Sequence, residues 1–85
     1  MAMTKQEKTL WEIMSAGERR SVIFKLQKKT YELYKKKEYL EVRFFAQMLI
    51  GRDDAWGMAI YGQMLRDGLG GAADLVGARQ WHLEA

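Results

Sequence analysis

Apolar residues recur every three or four positions along most of this chain, and nowhere do they alternate with polar ones. That spacing predicts helices and no strands. Leu10, Ile13 and Met14, with Trp11 beside them, form the first stripe. Thr4 followed by Glu7 is a capping-box pattern, so a first helix is expected from about Lys5 to Ala16. Gly17 is its natural stop.

A longer stripe follows. At 100° per residue, Val22, Ile23, Leu26, Leu33, Tyr34, Leu40, Phe44 and Met48 fall on one side of a helix. Leu40 and Phe44 also lie in a stretch that is apolar nearly all round, which makes them expected core residues. No Gly or Pro interrupts residues 18–50, so one long central helix, straight or kinked, is favoured. Lys37 and Glu41 sit inside the stripe and suggest a bend or turn near 36–38, which keeps a helical hairpin open. The stretch LYKKKEYLEVRFFAQM resembles the helix-turn-helix of tetratricopeptide-type units, which would imply that hairpin; one unit makes no repeat.

Gly51 ends the segment. Asp53 or Asp54 can cap a helix of about 54–67. Gly57 and Gly62 inside it cost roughly 1 kcal/mol each relative to alanine, which is tolerable where another backbone packs close. A Gly-rich turn then leads to a short helix of about 71–82. There Ala73 and Gly77 offer a small-residue face for helix packing. The expected fold is all-α: a small helical domain of four or five helices.

Composition narrows the class. Eighty-five residues, 48% of them apolar, suit one modest core and a single domain over 1–85. The polar N-terminus does not read as a signal peptide. The longest uncharged run, AWGMAIYGQML, is far short of the ~20 residues a membrane helix needs. With no cysteine, a reducing cytoplasm is the expected location, without integral membrane association, and no thiolate site can form.

Catalytic chemistry finds little to stand on. His82 is the one histidine, and no spacing ties it to Ser15 or Ser21 as a nucleophile and base. Glu38/Glu41 and Asp53/Asp54 make no familiar metal set. The glycines at 68, 70 and 71 precede no Gly-Lys-Ser/Thr. The chain is therefore read as non-enzymatic, with no metal and no cofactor. Trp11 and Trp56 are read as core residues, Trp81 less firmly so, and Met14, Met48, Met58 and Met64 as fillers.

Charge supplies the one sharp feature. Residues 19–37 hold eight basic residues against Glu32 alone, a net of +7, while residues 1–18 carry −1 and residues 38–85 carry −3. On a continuous helix Lys25, Lys28, Lys29, Lys35, Lys36 and Arg43 gather opposite the apolar stripe. Tyr31, Lys35 and Tyr39 run as an i, i+4, i+8 row along the edge of that face. Glu32 lies beside Lys28 and Lys36 and would pair part of the charge. Such a face suits phosphates, so nucleic-acid binding is the expected function. The alternative is a protein-interaction module, an adaptor, regulator or inhibitor, docking on an acidic surface of a larger partner. Apolar surface beyond what so short a chain can cover also suggests a homodimer, through the long segment or the Ala73/Gly77 face.

Overall fold

Five helices make up the regular structure of residues 3–85, which a computed structural model describes. They are α1 (Lys5–Ile13), α2 (Ala16–Lys35), α3 (Tyr39–Ile50), α4 (Ala55–Asp67) and α5 (Leu75–Glu84). No strand occurs among the described residues, so the fold is all-α.

The first boundary falls earlier than the glycine suggested. Thr4 caps α1, its hydroxyl accepting the Glu7 N–H at 3.2 Å. The helix then stops at Ile13 because Ser15 caps the next one. Ser15 Oγ accepts the Glu18 N–H at 3.1 Å, and the Ser15 N–H donates to Glu18 Oε1 at 2.9 Å. This reciprocal pair satisfies two of the otherwise orphaned N–H groups of α2. The Ser15 N–H, and after it the Ser15 side chain, hold the Glu18 carboxyl below its usual range. Gly17 lies inside the first turn of α2 and ends nothing.

The long central helix is two helices. The chain leaves α2 through a left-handed residue, Lys37, at φ 60°. The Glu38 N–H reaches back to Leu33 O and the Lys37 N–H to Tyr34 O, both at 3.0 Å. That pair of bonds is the Schellman ending, and glycine usually fills its left-handed position. The α3 terminus repeats it with Asp53 at φ 57° and the Asp54 N–H on Leu49 O. The α4 terminus also passes through a left-handed residue, Gly68 at φ 66°, with the Gly68 and Leu69 N–H groups both on Met64 O.

The turn at 36–38 resets the helical phase, which overturns two core assignments. In α3 the buried positions are Val42, Ala46 and Leu49, an i, i+4, i+7 row. Leu40 and Phe44, which continue the α2 stripe only on an unbroken helix, are 74% and 48% exposed. Lys37, expected within the stripe, is exposed in the turn.

The helices pack in series: α2 with α3, α3 with α4, and α4 most extensively with α5. Leu33, Val42 and Met64 form the core, with Tyr34, Tyr39, Phe45, Ile60 and Leu69 packed around it. Thr30, fully buried, donates its hydroxyl to Leu26 O at 2.6 Å. The glycines of α4 mark close approaches. A Cβ on Gly57 would collide with Leu49 Cβ, and one on Gly62 would stand 3.2 Å from Ala78 O and 2.8 Å from the His82 ring. His82 is exposed, yet its ring covers Gly62 rather than standing idle. Gly77 faces Leu65 of α4 and the Asp74 cap within the chain, so the small-residue face is used internally. Helix α5 starts at Leu75, later than expected, because Asp74 caps it through the Gly77 N–H at 2.9 Å.

Candidate nucleic-acid interface

Helix α2 presents two neighbouring rows to solvent, each spaced i, i+4, i+7, i+11. One is Phe24, Lys28, Tyr31 and Lys35; the other is Lys25, Lys29, Glu32 and Lys36. Every member is exposed. Helical geometry makes the rows straight and parallel, one residue apart and so about 100° round the axis.

The charges on these rows stand uncompensated. Among the described residues the salt bridges are Arg52–Glu7 and Arg66–Asp67, and neither involves an α2 lysine. Glu32 makes no ion pair with Lys28 or Lys36. The one specific contact is the Lys35 ammonium, 5.0 Å from the centre of the Tyr31 ring, a cation–π distance.

Two residues expected on this face are elsewhere. Tyr39 opens α3, half-buried, with its ring edge-on to Tyr34 at 5.7 Å. Arg43 turns toward the α4–α5 loop. Its guanidinium donates to Leu69 O at 2.7 Å, Ala72 O at 2.9 Å and Met64 O at 3.2 Å. It straps the loop over α3, with its Nε and Nη2 donors occupied. Both displacements follow from the break at 36–38, since the expected row and face assumed an unbroken helix.

Beside the Phe24–Lys35 row lies a cleft between α2 and α4. Thr30, Tyr31, Tyr34, Trp56, Ile60 and Gln63 line it, around about 270 Å³. Two polar contacts join α2 to α4 along it. Gln27 of α2 donates to both carboxylate oxygens of Asp54 at 3.1 Å, while Asp54 caps α4 through the Gly57 N–H at 2.9 Å. Further along, Gln63 Nε2 reaches Tyr34 OH at 3.5 Å. Trp56 looks like core filler in the sequence, but it forms part of this wall and is only half-buried. Trp56, Ile60 and Gln63 share an i, i+4, i+7 row of their own. Its existence was legible; its pairing with Tyr31 and Tyr34 was not.

The other tryptophans serve α1 and α5. The guanidinium carbons of Arg19 and Arg52 lie 5.6 Å and 5.4 Å from the Trp11 ring centre. Arg19 also donates to Trp11 O and Glu12 O. These contacts hold α1, which has no buried residue of its own. Trp81 meets Tyr61 edge-on at 5.9 Å.

Among the described residues no three His, Cys, Asp or Glu side chains gather as a metal site. No helix there is long and apolar enough to cross a membrane. Comparison with protein-family models, curated proteins and solved structures returns no match.

Proposed function

We propose that this chain binds nucleic acid without catalysing a reaction, through the exposed lysines of α2. The observation that carries the reading is the set Lys25, Lys28, Lys29, Lys35 and Lys36, all exposed and none neutralised by a carboxylate. Unpaired ammonium groups on one rigid helix concentrate positive potential. Phosphates replace the missing counter-charges, and the release of condensed cations drives binding. Lysine offers a point charge rather than a planar fork, so the contacts position a backbone and read little sequence.

The test is salt dependence. Three to five phosphate contacts predict a slope of log affinity against log salt of about −2 to −5. Changing Lys28, Lys35 and Lys36 together to glutamate should abolish binding and leave the helical circular-dichroism signal intact. A native protein that binds neither DNA nor RNA at low ionic strength refutes the reading.

A protein partner is the second reading, and it has its own observation. Leu40 and Phe44 stand one turn apart on α3, and Val76 and Leu83 two turns apart on α5, all exposed. Apolar anchors of this kind dominate protein interfaces and would serve an acidic partner or a second copy of the chain. On this reading Leu40→Ala with Phe44→Ala weakens association, a loss that phosphate contacts by the lysines would not show. Sedimentation separates a homodimer from a larger partner's complex.

A further inference from the structure

The lysine rows alone would suit any polyanion; the cleft beside them narrows the choice. We propose that the α2–α4 cleft receives a nucleobase, so that the preferred ligand is a single-stranded nucleic acid. The inference rests on the nucleic-acid reading above and specifies it further.

Three features lead there. The lining is aromatic: Tyr31, Tyr34 and Trp56 supply rings, and Ile60 an apolar side. Base–aromatic stacking accepts any base, since each has a π-face. The size is sufficient: the cleft encloses about 270 Å³, room for one planar ring system. The polar edge is adaptable, because the Gln63–Tyr34 bond at 3.5 Å is at the long limit for such a contact. The Gln63 amide can re-pair with the edge of an incoming ring at little loss.

Charge then selects among ring-bearing ligands. An aromatic cleft can also hold a cation. Here the Lys35 ammonium already stands over Tyr31, and Lys28 lies one turn to the other side on the same row. A cationic ligand meets repulsion, whereas a flat ring carried on an anionic backbone meets attraction on both flanks. A nucleotide strand has that combination. Phe24, 65% exposed, sits two turns before Tyr31, about 10 Å along the helix, and offers a ring to a neighbouring base. Bases within a duplex are stacked on one another and cannot enter without being extruded, so the single strand is favoured.

The test compares three fluorescent probes at one low salt concentration: an oligonucleotide of about twelve thymidines or uridines, an abasic strand of the same length, and a duplex. Twelve lies within the ~4–16 nucleotides typical of single-strand sites. A base-bearing strand should bind at least fivefold tighter than the abasic one, as one stacking contact implies about five- to a hundredfold. Tyr31→Ala should reduce that difference severalfold, with Phe24 and the other rings of the cleft keeping the rest, and should change abasic and duplex binding much less. Tyr31→Phe, which keeps the ring, should retain the difference. Tyr31 is 55% exposed and alanine is the best helix former, so a native helical signal is expected in both variants. Equal binding of base-bearing and abasic strands, unaffected by Tyr31→Ala, overturns the nucleobase inference while nucleic-acid binding stands. Absence of binding to every probe overturns both.

Discussion

Gly57 and Gly17 both lie within helices, so helix propensity alone assigns the same gain to each on replacement by alanine. In a helix interior that gain is about 0.5–1 kcal/mol, an upper bound for these first-turn positions. The structure separates them. A Cβ on Gly17 would meet only Ser15 Oγ, at 3.9 Å, and the gain should appear. A Cβ on Gly57 would collide with Leu49 Cβ, with Ala46 O 3.5 Å away. A Cβ cannot swing aside by changing rotamer, so relief requires α3 and α4 to separate. Leu49 is completely buried in that contact. Overpacking of a closed core costs about 1–3 kcal/mol, occasionally more, and it outweighs the propensity gain. Gly57→Ala should therefore be destabilising by about 1–2 kcal/mol net. For a domain of this size 1 kcal/mol shifts the melting temperature by about 4–8 °C. Thermal unfolding followed by circular dichroism should then show Gly17→Ala several degrees above the parent and Gly57→Ala about 5–15 °C below it. A Gly57→Ala variant melting at or above the parent would refute the close α3–α4 crossing.

Two further predictions probe the break between α2 and α3. Phe44→Ala should cost only about 1 kcal/mol, since a side chain 48% exposed collects roughly half the ~1.5–3 kcal/mol of full burial. Leu49→Ala, at a fully buried site, should cost about 2–5 kcal/mol; urea titrations giving the reverse order would restore the unbroken helix. Lys37→Gly should raise stability by up to about 1 kcal/mol, because a left-handed non-glycine residue costs roughly 1–2 kcal/mol and glycine's greater unfolded-state freedom takes back part of that. A loss of stability in Lys37→Gly would show that Lys37 does not occupy the left-handed turn position.

The sequence by itself determined the helical class, the cap at Thr4, a cap at Asp53 or Asp54, and the charge concentrated on residues 19–37. These are local properties. Apolar spacing, a hydroxyl or carboxylate ahead of a helix, and a count of ammonium groups depend on neighbours within a turn or two. The two close approaches in α4 were also foreshadowed, since Gly57 and Gly62 carry a propensity cost that tight packing explains.

Tertiary structure decided the rest. Lys37 and Glu41 inside the apolar stripe hint at a turn near 36–38, but no glycine marks Lys37 as the left-handed residue that ends α2. Its left-handed backbone is held by the hydrogen bonds of the turn and by α3 packing back against α2. That single turn moved Leu40 and Phe44 out of the core and Arg43 onto the α4–α5 loop. It also sent Tyr39 into the layer around Leu33 and Val42. The cleft has the same origin. Tyr31 and Tyr34 belong to one helix, and Trp56, Ile60 and Gln63 to another. Each row is visible in sequence, but the space between them exists only because α2 and α4 both pack on α3, with Gln27 bonded to Asp54 across the gap. Long-range contacts of that kind depend on which helices pack together, and a helical period carries no record of its partner.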